Sequence, residues 1–214
     1  MKRETGKCLV TLDEKRIPSY DLLKDVAYDY IKMPCFPHNF FDVLYFGTLA
    51  LRRENNLNVL KSIIEEGSFK DIIVDINIRK PFNSIAVVEF ACEKASIIKI
   101  SDEELPDVVG DRLPIKESVQ LLSGKFLNLR MIIITSGDKG ALVYECRSGM
   151  YYECESQKVR VVSTVGAGDS FSAAFLAKYM KTGDIYKALE FATKVSGYVV
   201  SCMEAIPDYK FEIC

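Results

Sequence analysis

Four short apolar runs punctuate the chain, at residues 42–47, 72–75, 97–100 and 131–135. Continuous apolar runs of this length are how strands buried on both faces of a parallel sheet read. After the first run, Leu57, Leu60 and Ile64 fall at helical spacing and Gly67 is placed as a C-cap. A helical stretch from about residue 83 to 94 follows the second run, and acidic and then amphipathic helical segments follow the third. Strand alternating with helix predicts an α/β fold, a mainly parallel sheet with right-handed crossovers and helices on both faces. After the fourth run, residues 141–145, 150–154 and 158–162 are β-rich with turn residues between them. The last third reads as two helices, 169–181 and 184–203, separated by Thr182-Gly183. Near the start, Cys8-Leu9-Val10-Thr11-Leu12 alternates before the polar turn Asp13-Glu14-Lys15-Arg16, which predicts a small hairpin.

At 214 residues, with no internal repeat and no linker long enough to divide it, the chain is expected to form one α/β domain over 1–214, with a β hairpin at about 5–20. A net charge of −2 excludes both a polybasic nucleic-acid surface and an acidic disordered tail, leaving a small molecule as the expected partner. No run reaches the roughly 18 apolar residues of a membrane span, and the basic start has no apolar core behind it. Seven cysteines lie scattered without a C-x-x-C pair, and His38 is the single histidine, so zinc has no adequate ligand spacing. Reduced thiols and a cytoplasmic location are the expectation.

The sharpest local feature is Ser163-Thr164-Val165-Gly166-Ala167-Gly168-Asp169-Ser170-Phe171, a glycine-containing loop running into an amphipathic helix. Gly166 and Gly168 free the backbone to approach a ligand, and the first-turn amides of a helix have no partners within it. With the helix dipole behind them, such amides favour a phosphate. Asp169 sits where its carboxylate could take a proton from a hydroxyl attacking that phosphorus. The same residues also suit a plain tight turn with Asp169 as a helix N-cap.

Thr164-Val165-Gly166-Ala167-Gly168-Asp169-Ser170-Phe171, with Ala173-Ala174-Phe175 behind it, resembles the G-A-G-D signature of the ribokinase-like PfkB family of carbohydrate kinases. Three further segments match in the family's order. Asp75-Ile76-Asn77-Ile78-Arg79 resembles D-P-N-x-R of the fructokinase-like branch, Lys99 to Glu104 resembles a segment containing N-x-x-E, and Thr135-Ser136-Gly137-Asp138-Lys139-Gly140 resembles T-x-G-x-x-G. The resemblance implies Asp169 as catalytic base, the backbone of Gly166, Ala167 and Gly168 as anion hole, and Arg79 facing the phosphates or substrate. It implies nucleotide contacts at Thr135, Ser136, Gly137 and Gly140, with Ser101 in place of the family's asparagine and Thr193 in place of another. Glu104 would organise Mg2+ through water. ATP and a small sugar are the implied ligands, and the stretch from Thr5 to Asp13 looks like a lid strand.

Some positions depart from the pattern. Ser163 stands where many relatives carry an aspartate that helps hold a monovalent cation, which removes the ground for expecting cation activation. Glu204 replaces a glycine near the adenine pocket. Family members open with a strand and a G-G-x-x-x-N sugar-binding motif, and neither precedes Thr5. The resemblance therefore implies a fold lacking its sugar-binding segment, with three readings open: completion by another polypeptide, homodimerisation through the gap, or a degraded or truncated gene product. Two functions stand: a fructokinase-like sugar kinase, or an inactive nucleotide-binding or interaction module derived from one. A dinucleotide-dependent oxidoreductase is disfavoured, because no G-x-G-x-x-G follows the first strand.

Overall fold

The computed structural model describes residues 3–12, 18–35, 40–79, 82 and 84–209. The polar turn at 13–16, His38, Pro81 and Asn83 lie outside these residues. Strands β1 (Cys8–Leu12) and β2 (Pro18–Leu22) pair antiparallel as a two-stranded sheet of their own. The main sheet has six strands. Its first four, β3 (Phe40–Gly47), β4 (Ser68–Asp75), β5 (Ile97–Ser101) and β6 (Met131–Thr135), are parallel neighbours in sequence order. Then β7 (Ala141–Glu145) and β8 (Met150–Cys154) are added antiparallel at one side. All four apolar runs are thus strands, as their composition predicts.

Helices fill the crossovers: α1 (Glu54–Glu66) before β4, α2 (Ile85–Lys94) before β5, and α3 (Leu105–Val109) with α4 (Ile115–Lys125) before β6. Two long helices, α5 (Ala167–Thr182) and α6 (Ile185–Val200), follow the sheet. Because successive strand side chains point to opposite faces, each run feeds two cores. Val74, Ile98, Ile100, Ile132 and Ile134 pack with residues of α2, α3 and α4. Ile73, Ile97, Met131 and Ile133 face the other way, onto α5 and α6. The largest fully buried side chain, Phe175 of α5, sits in this second core. Truncating such a residue to alanine costs about 3–5 kcal/mol. This core therefore anchors α5, and with it the glycine turn at the helix start.

Several boundaries differ from the sequence pattern. Residues 158–162 form no strand. Instead the amides of Val162 and Ser163 donate to the Val200 carbonyl at 2.9 and 3.2 Å, and Val161 is 62% exposed. A β-rich composition does not by itself make a strand. Helix α5 begins at Ala167, two residues before Asp169, and α6 ends at Val200 instead of 203. Ser84 caps α2, accepting from the Val87 amide at 3.3 Å. Gly67 does cap α1, its amide bonded to the Ile63 carbonyl, but in extended backbone at φ −94.

Candidate active site

Because β3 to β6 run parallel, their last residues (Gly47, Asp75, Ser101 and Thr135) lie along one edge of the sheet, with Gly47 opposite Asp75 and Ser101 opposite Thr135. Loops leaving the carboxyl ends of such strands make the usual ligand crevice of open α/β sheets. The loops after β4, β5 and β6 begin here, and the start of α5 joins them.

At that start, Gly166 holds φ +83, a left-handed conformation that glycine adopts without strain. A Cβ on it would also stand 2.9 Å from both the Cβ and the carbonyl oxygen of Ala205. Gly166 is the N-cap, so Asp169 is the third residue of the helix and not its cap. Its side chain is exposed. The Ala167 amide bonds the Thr164 carbonyl at 3.3 Å, and the Ser170 amide bonds Gly166 at 2.9 Å. Between them, the amides of Gly168 and Asp169 belong to the first turn, where no acceptor four residues back exists within the helix. Ser170 and Ser196 both donate to the Ala167 carbonyl at 3.0 Å, tying the turn to α6.

A buried ion pair lies next to this turn. Lys99 Nζ donates to both Asp75 carboxylate oxygens, at 3.0 and 2.9 Å, and both side chains are almost wholly buried. Asp75 Oδ2 also accepts from Ser172 Oγ and Tyr45 OH, each at 3.3 Å. Burial, followed by the nearby Asp75 carboxylate, pushes the Tyr45 hydroxyl up to about 12. Sequence reasoning missed Asp75, Lys99, Ser172 and Tyr45 as site residues. One signal was available: an aspartate closes one apolar run and a lysine interrupts the next, which strands buried on both faces rarely tolerate without pairing.

Glu104 reaches back across the edge. Its Oε1 accepts from the Ile78 amide at 2.6 Å, while Oε2 accepts from the Ser101 amide and hydroxyl at 3.1 and 2.8 Å. Glu104 and Ser101 are thus brought together, and they fix the loop carrying Asn77, which has φ +35, and the exposed Arg79. The Asp102 amide donates to the Thr135 carbonyl at 2.9 Å, joining this segment to the Thr135–Gly140 turn. In that turn the Ser136 amide bonds the Gly140 carbonyl at 2.8 Å, and Gly137 and Gly140 hold φ +54 and +103. A Cβ at Gly140 would collide with the Cys154 carbonyl oxygen. Thr193 is placed differently. It is buried on α6, its hydroxyl bonded to the Leu189 carbonyl at 2.9 Å, and it lines an open cavity of about 720 Å³ with Lys178, Lys187 and Lys194. Residues 166–169 do not line that cavity.

Among the described residues no group of three or more His, Cys, Asp or Glu side chains could hold a metal ion. Among the described residues no helix is long and apolar enough to cross a membrane.

The model of the pfkB family of carbohydrate kinases matches residues 2–211, and the chain belongs to that family. It is 30% identical to a fructokinase of Rhizobium leguminosarum bv. trifolii over 144 residues, covering 64% of this chain and 42% of the relative. A putative sugar kinase of Pyrococcus horikoshii is 26% identical over 207 residues, covering 91% of this chain and 62% of that one. Among solved structures, the fructokinase of Vibrio cholerae O395 with fructose, ADP and calcium bound superposes with a TM-score of 0.79 at 24% identity, covering 95% of this chain and 69% of that one. The chain thus spans only part of the length of its relatives.

Proposed function

We propose that the chain takes part in ATP-dependent phosphorylation of a primary hydroxyl of a sugar, as a fructokinase-like kinase. The observation that carries this reading is the exposed Asp169 carboxylate on a helix whose first-turn amides open at the carboxyl edge of the parallel sheet. The names of the relatives support it, as does the fructose and ADP held by the Vibrio cholerae enzyme.

In this reading the γ-phosphoryl oxygens sit on the backbone of Gly166, Ala167 and Gly168, where helix amides favour negative charge. Asp169 takes the proton of the sugar hydroxyl as its oxygen bonds to the γ-phosphorus. The bond from phosphorus to the bridging β,γ-oxygen breaks, and ADP leaves with that electron pair. Bound Mg2+ would neutralise phosphate charge, with Glu104 reaching it through water. Arg79 faces the phosphates or the sugar, Thr135, Ser136, Gly137, Gly140 and Ser101 border the nucleotide, and Thr193 lies on its adenine side. The β1–β2 pair acts as a lid over the sugar.

Among the described residues, strand β3 hydrogen-bonds to β4 on one side only, and Phe40 and Tyr45 on it are 60% and 45% exposed. In the same reading another strand, from a second copy or from another polypeptide, pairs with β3 and supplies sugar contacts. A coupled assay with ATP and fructose, beside calorimetry, tests the whole. Asp169→Asn should keep nucleotide binding and lose transfer, and a fully active variant removes Asp169 from the base role. Nucleotide binding with no response to sugar in the unaltered chain favours the inactive module instead.

A further inference from the structure

The buried charge nearest the anion turn has no part in the transfer just described. Lys99 and Asp75 are register partners on adjacent strands, and the ammonium spends its donors on both carboxylate oxygens. An ammonium has three N–H donors, and two suffice for those bonds. Its other neighbour is the start of α5, because a Cβ built on Gly168 would stand 3.4 Å from Nζ.

Placing a cation there is unfavourable in two ways. The ammonium leaves water, and it sits at the positive end of a 16-residue helix, where the dipole favours anions. Asp75 compensates the first cost, and its hold on the ammonium is itself braced by Ser172 and Tyr45. The excess positive potential of the first-turn amides remains, and an incoming anion satisfies it. Holding the sheet together does not require such a pair. Midway along β4, Asp71 is tied to Arg130, whose side chain is half-exposed, and Asp71 also accepts from Ser96 Oγ at 2.8 Å.

We infer that Lys99 is a positioning residue for a polyphosphate anion: held by Asp75 against Gly168, it draws the terminal phosphate onto the amides of Gly168 and Asp169. The inference takes its natural ligand from the kinase reading, but its geometry stands without it. A nucleotide's terminal phosphate should feel Lys99, whereas a nucleotide ending at the β-phosphate should feel it little.

Because Lys99→Met alone strands a buried carboxylate, the test uses Asp75→Asn/Lys99→Met, with its fold checked by circular dichroism, and Lys99→Arg as the charge-keeping control. Should the double variant fail to fold, Asp75→Asn/Lys99→Gln replaces it. Each chain is titrated with ADP, with a non-hydrolysable ATP analogue and with inorganic tripolyphosphate, by calorimetry and by NMR of the Gly168 and Asp169 amides. In the double variant we expect ADP affinity within about twofold of the unaltered chain, and analogue and tripolyphosphate affinity about tenfold lower or more, as removal of a charge-assisted contact predicts. Lys99→Arg should recover most of that loss. Equal loss for ADP and the analogue, or no loss for tripolyphosphate, overturns the inference. If the unaltered chain takes no nucleotide, the kinase reading fails on its own. In that case, tripolyphosphate shifting the two amides in the unaltered chain but not in the double variant still supports Lys99, and no shift in either chain overturns it.

Discussion

Two buried carboxylate–cation pairs mark two regions built on different terms. Asp29 and Arg52, with side chains 0% and 5% exposed, join the segment after the hairpin to the segment after β3. Asp29 accepts from Arg52 Nε and Nη2 at 2.7 and 2.8 Å and from the amides of Asp25 and Val26 at 2.9 and 3.2 Å. Arg52 Nη2 also reaches the Leu23 carbonyl, and the rings of Tyr28 and Phe82 lie 5.0 and 4.9 Å from the guanidinium carbon. That joint is closed on the carboxylate side, where Asp29 accepts four hydrogen bonds, while Arg52 Nη1 is buried without a hydrogen-bond partner. The Asp75–Lys99 pair instead places a compact point charge beside an exposed turn. A planar guanidinium suits a fixed bidentate joint, and an ammonium suits a site that must also answer to a ligand. One pair joins two chain segments, and the other lies beside the turn at the start of α5.

The largest expected effect tests the functional side of this contrast. Asp169→Asn should lower turnover by about 10²- to 10⁴-fold, the usual weight of general base catalysis, while melting temperature stays unchanged. Loss of stability alongside loss of turnover would place Asp169 in the framework.

Next comes the closed joint. Arg52→Leu strands a fully buried carboxylate, and urea unfolding should show a loss of about 3–5 kcal/mol, whereas Asp75→Asn/Lys99→Met, which removes both charges, should be close to neutral. Comparable losses in the two variants would erase the distinction between the pairs.

A smaller effect is expected at the turn. Gly166→Ala demands a left-handed alanine and a contact with Ala205, costing about 1–3 kcal/mol in thermal unfolding and weakening nucleotide binding more than Arg52→Leu does.

Acid sharpens the contrast further. Burial pushes Asp29 up, but hydrogen bonds from Arg52 and from the Val26 and Asp25 amides outweigh it and hold the carboxyl below its ordinary 3.8. A lowered folded value means that its stabilisation is full above the unfolded value and is lost as pH falls through the lower, folded one. Stability followed below pH 3.8 should therefore drop less steeply in Asp29→Asn than in the unaltered chain. Smallest of all, Tyr45→Phe removes one donor to Asp75 and should cost about 1 kcal/mol in urea unfolding.

Much of the sheet was legible beforehand, because a strand buried on both faces must be apolar throughout, and 72–75, 97–100 and 131–135 are so apart from Asp75, Lys99 and Thr135. The glycine turn was legible for a related reason: only glycine serves where Gly166 sits, against Ala205 with positive φ. Residues 158–162 misled, since a β-rich composition says nothing about whether a neighbouring strand is within reach. Thr193 reads as a nucleotide contact from its place in the sequence, and the fold sets it on the lining of the open cavity with its hydroxyl bonded to the Leu189 carbonyl.

By itself, then, the sequence determined the four parallel strands, the presence of the helices around them and where the backbone had to bend, because those properties follow from burial and local sterics within a few residues. Only the tertiary structure decided that Asp75 and Lys99 meet, that Gly168 lies against their ammonium, and that Glu104 clamps Ile78. These contacts join residues 24 to 69 positions apart in the chain, and strand register and helix packing, which no local pattern encodes, bring them close together.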